Sequence, residues 1–195
     1  MIGRCVRICV VAIAFATSAA WPGLAEEAQP EGNGSPAAPA SPEMPPVAVG
    51  PEWAYERLAG DVHMFVCRES ACVPSSKVSY RLYGRNDTMT LEQFRRQQEH
   101  VVKVLQEHAP PGTHIEILEV HGDEGSGLPR TFTSRRLIAN SSGAKEFITS
   151  SLLLGMAGAA SLVSSSPDEE ASSANEVIFA RAVMALVNAA PQAKP

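Results

Sequence analysis

Apolar and polar residues alternate with a period of two through much of the chain, which is typical of β-strands with one buried face. Residues 78–83 alternate cleanly, whereas residues 62–67 are apolar on nearly both faces. Short turns separate the later strands, so the sequence predicts an antiparallel meander. The other predicted strands are 113–120, 131–138, 146–154 and 159–165, and residues 52–58 form either a short helix or a first strand.

Within residues 113–120 the apolar positions change phase. Ile115 and Ile117 fall on one face of the predicted strand, and Leu118 and Val120 fall on the other. This predicts either a β-bulge or a strand that is buried on both sides.

Two segments have the period of an amphipathic helix. Residues 91–108 carry an apolar stripe that Gln98 interrupts. Thr90 and Gln93 form a capping box at the start, and Met89 and Phe94 have the spacing of a hydrophobic staple. The proline pair 110–111 ends the helix.

The second predicted helix spans residues 167–189. Ser166 is the predicted N-cap, Pro167 suits the first helical position, and Glu169 completes a capping box. The predicted buried face comprises Ala174, Val177, Ile178, Ala182, Ala185 and Leu186. The fold class is therefore α+β, an antiparallel meander of about five to six strands packed with two long amphipathic helices.

The first 25 residues have the layout of a secretory signal peptide. Arg4 and Arg7 precede an apolar run at 8–20, and small residues stand before a cleavage site after Ala25. Cleavage after Ala20 and an uncleaved anchor are the alternatives. The apolar run is short for a membrane span, and no span is predicted after the signal is removed.

Composition divides the remaining chain. Residues 26–51 are rich in Pro, Ala, Gly, Ser and Glu and contain no aromatic residue, so they are predicted to be a disordered linker. Residues 52–190 form one globular domain, and 191–195 are a tail. The net charge of −5 argues against a nucleic-acid partner, because binding a duplex requires many cationic contacts.

Cys67 and Cys72 lie in the loop between the first two clear strands. In an oxidising compartment such a pair is expected to form a disulfide, which would stabilise the domain by roughly 2 kcal/mol. The alternative is a thiol–disulfide protein, although the C-x₄-C spacing differs from that of C-x-x-C redox motifs. An exported protein, periplasmic or secreted, is the expected context.

Two sets of polar residues are candidate sites. His114, His121 and Asp123, together with Glu124, could supply ligands for a divalent metal, and a small hydrolase would use the 121–127 loop. The second set could bind an anionic group through guanidinium contacts. It comprises Arg81, Arg135 and Arg136.

The order of elements resembles the Mog1/PsbP-type α/β/α sandwich. The segments that carry the resemblance are 78–83, 90–108, 113–120 and 146–186. The resemblance implies a binding or assembly protein without catalytic activity, and it transfers no functional residue. The chain also resembles exported proteins of Gram-negative bacteria. The resulting expectation is a periplasmic, non-catalytic module without a cofactor, whose partner is an envelope protein or a small anionic ligand.

Overall fold

The computed structural model describes residues 46–68 and 70–189. The predicted signal peptide, most of the predicted linker and the predicted tail lie outside these residues. The elements, in chain order, are β1 (Trp53–Leu58), β2 (Val62–Cys67), β3 (Lys77–Tyr83), α1 (Leu91–His108), β4 (His114–Gly122), β5 (Arg130–Ala139), β6 (Lys145–Leu154), β7 (Ala159–Ser166) and α2 (Glu169–Asn188).

Within the described residues the strands form one antiparallel sheet in the order β1-β2-β3-β7-β6-β5-β4. The helix α1 connects β3 to β4 at the far edge, and the meander β4 to β7 then returns across the sheet until β7 pairs with β3. The predicted α+β class and antiparallel meander are confirmed. The sheet has seven strands rather than five to six, and residues 53–58 are a strand, not a helix.

The helix α1 begins and ends where the sequence predicts. The Gln93 amide donates to Thr90 Oγ1 at 3.2 Å, and the Thr90 amide donates to Gln93 Oε1 at 2.9 Å, so the capping box is confirmed. Phe94 is buried against Phe132, with ring centroids 5.8 Å apart. The helix thereby covers β4 and β5.

The helix α2 lies on the opposite face of the sheet. Adjacent strand residues point to opposite faces, and Leu153 packs with Phe179 and Val183 of α2 whereas Leu154 packs with Phe94 of α1. The protein therefore has three layers, with the sheet between the two helices. The main core lies under α2 and comprises Val47, Phe65, Val78, Tyr80, Leu153, Ala160, Leu162, Phe179, Val183 and Val187.

Two predictions about α2 are wrong, that of its N-cap and that of its buried face. The helix spans 169–188 rather than 167–189, and its N-cap is Asp168, whose Oδ1 accepts from the Ala171 amide at 2.7 Å, rather than Ser166. The buried side chains are Ser172, Glu176, Phe179, Val183 and Val187. The predicted apolar face is turned outward in part, since Val177 and Ile178 are 56% and 57% exposed.

Three smaller features refine the predicted domain. Val47 is only 4% exposed and packs in the core, so the predicted boundary between linker and domain at residue 51 is too late. The register of β4 against β5 shifts between Ile117 and Glu119, as the bulge alternative predicts. The sulfur atoms of Cys67 and Cys72 lie at disulfide distance, 2.00 Å.

Candidate functional site

A groove of about 590 Å³ lies between α1 and the edge strand β4. It exists because α1 crosses over β4 and β5 at the end of the sheet, where no further strand continues. Its floor is apolar and is formed by Val102, Ile115 and Ile117. Its rim carries Glu99, Lys103, Gln106, Glu107 and Glu116.

The rim of the groove is predominantly acidic. Three carboxylates, on Glu99, Glu107 and Glu116, line the groove together with one ammonium group, that of Lys103. Such a rim favours cationic groups and disfavours anionic groups, while the floor favours apolar side chains. The groove therefore suits a segment that carries both apolar and basic residues.

The Gln106 side chain bonds to the main chain of β4 inside this groove, on the side of the strand that faces no other strand. Its Oε1 accepts from the Ile115 amide at 3.1 Å, and its Nε2 donates to the Thr113 carbonyl at 2.9 Å. In a parallel sheet, one residue of a neighbouring strand bonds to a carbonyl and an amide that are two residues apart. The Gln106 carboxamide thus takes the place that an added parallel strand would occupy beside His114.

A second polar feature is buried between α1 and the sheet. Arg136 is only 8% exposed, and its Nη1 donates to Gln98 Oε1 at 3.3 Å. Burial lowers the pKa of Arg136 to about 10, and the Glu146 carboxylate opposes this effect. The guanidinium therefore remains protonated at neutral pH. Gln98, which interrupts the apolar stripe of α1, is its partner.

Three serine hydroxyls lie on the same face of the sheet as Arg136. Ser134 is two residues from Arg136 on β5 and stands opposite Ser150 on β6, while Ser165 on β7 lies in the same cross-strand row as Arg136 and Ile148. All three side-chain oxygens, and Arg136 Nε, are buried without a hydrogen-bond partner in the described part of the chain. We refer to Arg136, Ser134, Ser150 and Ser165 as the Arg136 cluster.

A third polar feature is buried under α2. Ser151 Oγ donates to Glu176 Oε1 at 2.6 Å, and Thr133 Oγ1 lies 3.0 Å from Ser151 Oγ. Because Ser151 uses its only hydrogen for Glu176, Thr133 must donate to Ser151. Burial raises the pKa of Glu176, and the hydrogen bond from Ser151 and the nearby His121 offset only part of this rise.

The structure does not bring the predicted anion-binding arginines together. Arg135 and Arg136 point to opposite faces, and Arg135 is paired with Glu119 and Glu169. The Arg81 guanidinium lies 5.4 Å from the centroid of the Tyr83 ring. Arg81 belongs to β3, which is three strands and about 14 Å away from β5 in the sheet. The predicted patch is therefore not formed, and of these three arginines only Arg136 is buried.

The predicted metal ligands are also separated. His114 and His121 stand seven residues apart on β4, about 23 Å in an extended strand. Asp123 instead accepts from the Thr131 amide at 2.9 Å in the hairpin between β4 and β5. Residues 46–68 and 70–189 contain no group of three His, Cys, Asp or Glu side chains that could hold a metal ion.

The 121–127 loop is exposed and is anchored from one side. Arg130 donates to the Gly125 carbonyl at 3.1 Å and to the Asp87 carbonyl at 2.8 Å. These bonds tie the loop to the segment before α1. Neither helix in the described part of the chain is long and apolar enough to cross a membrane.

Gln106 and Glu176 are absent from the sites predicted from sequence. Glutamine on the polar side of a helix carries no signal of its own, and the pairing of Gln106 with β4 depends on the crossing of α1 over the sheet. Gln98 is different, because a polar residue within an apolar stripe indicates a buried polar partner.

Comparisons with known proteins support the fold. No protein-family model matches the chain, and no curated protein matches it. Among solved structures, the chain is similar to the solution structure of cyanobacterial PsbP (CyanoP) from Synechocystis sp. PCC 6803. The identity is 11%, the match covers 70% of this chain and 82% of that chain, and the TM-score is 0.50. The chain is thus similar in fold to a PsbP protein, as the order of its elements predicts.

Proposed function

We propose that this protein is an exported, non-catalytic binding module that holds an extended segment of a partner protein between α1 and β4. The observation that carries this proposal is the groove with an apolar floor beside a strand edge whose hydrogen-bonding groups are held by the Gln106 side chain. Strand addition to a free sheet edge is a common mode of peptide binding, in which main-chain bonds give affinity and neighbouring pockets give specificity.

The expected occupant follows from the surface of the groove. A segment in the extended conformation would replace the Gln106 carboxamide at the Thr113 carbonyl and the Ile115 amide. Paired with β4 in this way, it would place alternate side chains over Val102, Ile115 and Ile117. Basic residues of that segment would meet the carboxylates of Glu99 and Glu107. The partner is therefore expected to contribute a short segment of apolar and basic residues.

The compartment is supported by two observations. The Cys67–Cys72 pair lies at disulfide distance, and such pairs persist mainly outside the reducing cytosol. The first 25 residues have the composition of a signal peptide. The periplasm of a Gram-negative bacterium is the location that we propose.

Site-specific photo-crosslinking tests the proposal. A photo-reactive residue at position 103, on the rim of the groove, should crosslink to a discrete protein in the cell envelope. The same residue at position 181, on the exposed side of α2, is the matched control and should give no such product.

A charge reversal then tests the groove itself. Glu107→Lys should abolish the crosslink from position 103, whereas Glu170→Lys on exposed α2 should leave it unchanged. Equal crosslinking from both positions, or a crosslink that survives Glu107→Lys, would refute the groove as the binding site.

A further inference from the structure

We propose that the Arg136 cluster is a binding site for one small oxyanion, a phosphate-like or carboxylate group held between α1 and the sheet. This site is separate from the groove beside β4 and does not depend on the function proposed for it. The inference rests on a buried cation, on the absence of a counter-ion among the described residues, and on the chemistry of the atoms around it.

The charge of Arg136 has no adjacent counter-ion. In residues 46–68 and 70–189 no carboxylate oxygen lies within 4.0 Å of the Arg136 guanidinium nitrogens. The other two arginines of β5 do have partners: Arg135 pairs with carboxylates, and Arg130 donates to main-chain carbonyls. Glu146 attracts Arg136 only from a longer distance, and Gln98 is neutral. A buried cation without a paired anion is strongly disfavoured, so an anion in this place would be bound firmly.

The four atoms without partners can all act as donors. They are Arg136 Nε and the hydroxyl oxygens of Ser134, Ser150 and Ser165. A metal cation would be repelled by the guanidinium, and a water molecule would leave its charge uncompensated. An oxyanion supplies a negative charge and several lone pairs, so it satisfies both requirements at once.

The strand register places these donors in two adjacent cross-strand rows on one face of the sheet. Ser134 and Ser150 are cross-strand partners, and Ser165 and Arg136 lie in the next row on either side of Ile148. Directly opposite residues in antiparallel strands have Cβ atoms about 5 Å apart. One oxyanion between these two rows would therefore reach donors from β5, β6 and β7.

Thermal unfolding in different salts tests the proposal. The purified protein is compared in chloride, acetate, sulfate and phosphate at pH 7.5 and constant ionic strength. At least one oxyanion should raise the midpoint temperature increasingly with concentration, as expected for a ligand of the folded state. A response to acetate identifies a carboxylate site, and a response confined to phosphate and sulfate identifies a tetrahedral oxyanion.

Two variants locate the response. Arg136→Met should remove it, whereas Arg96→Met, on the exposed side of α1, should retain it. In chloride alone, Arg136→Met should be at least as stable as the wild type, because the variant removes an unpaired buried cation. If Arg136→Met does not fold, Ser150→Ala provides the second test and should weaken the apparent affinity about tenfold.

A site that is already occupied after purification is recognised by analysis of the released ion. The protein is desalted into chloride and denatured, and the released oxyanions are measured by ion chromatography. About one oxyanion per wild-type chain, with none from Arg136→Met, supports the proposal. It is overturned if no oxyanion is released and none stabilises the wild type, or if Arg136→Met responds as the wild type does.

Discussion

Replacing Glu176 by glutamine is expected to stabilise the protein at neutral pH. Glu176 is 6% exposed and lies between α2 and the sheet. The one described hydrogen bond to its carboxylate is donated by the Ser151 hydroxyl. Glutamine has nearly the same shape and keeps an oxygen that accepts from Ser151. The substitution therefore removes the negative charge with little change in packing.

The size and sign of the effect follow from burial. A charged group that is buried with incomplete hydrogen bonding destabilises a fold by about 1–3 kcal/mol. Because burial raises the pKa of Glu176 above its ordinary value of 4.5, the folded protein binds a proton at a pH where the unfolded chain is ionised. The stabilisation from this protonation is fully present below pH 4.5 and is lost as the pH rises through the folded-state pKa.

Urea unfolding at pH 5.0, 6.0 and 7.5 measures this effect. Glu176→Gln should exceed the wild type by about 1–3 kcal/mol at pH 7.5, and the difference should shrink as the pH falls and the wild-type carboxyl group becomes neutral. Glu170→Gln, on the exposed side of the same helix, is the control and should show neither change. A difference that does not vary with pH, or a variant less stable than the wild type at pH 7.5, would refute the reasoning.

Three further substitutions test the architecture by urea unfolding. Replacing Cys67 and Cys72 together by alanine should lower the free energy of unfolding by roughly 2 kcal/mol, and the reduced wild type should then match the variant; an unchanged midpoint would contradict a structural disulfide. Thr90→Ala should lower the free energy of unfolding by about 1 kcal/mol, because α1 loses its capping box. Gly155→Ala should lower the free energy of unfolding by about 1–3 kcal/mol, since a Cβ at this position would overlap the last turn of α2. Gly125→Ala, in open space, is the control for that variant and should stay within about 0.5 kcal/mol of the wild type.

Local signals account for the elements that were predicted most closely. The capping box at Thr90 and the proline pair after Ala109 fix both ends of α1 through interactions within a few residues. The phase change within β4 likewise marks its bulge, because strand alternation is a local property. Elements defined by such signals need no knowledge of the tertiary structure.

The orientation of α2 could not be predicted in this way. Its sequence places apolar residues around most of the helix, so several faces are almost equally able to be buried. The face that packs on the sheet includes Phe179 and Val183, but also Ser172 and Glu176, which bond to hydroxyl groups of β6. Those partners lie more than 20 residues earlier in the chain. The choice of face thus depends on polar contacts that appear only when the helix and the sheet are assembled.

The candidate sites depend on assembly for the same reason. Arg135 and Arg136 are neighbours in sequence, yet strand alternation sends one to the carboxylates beside α2 and the other beneath α1. Arg136 meets Ser150 and Ser165 only because the meander returns across the sheet and places β6 and β7 beside β5. A single strand with two adjacent arginines therefore supplies a surface ion pair on one face and a buried cation on the other. On the second face no carboxylate of the described chain is paired with the Arg136 charge. This unpaired buried charge is what favours the binding of an anion by this fold.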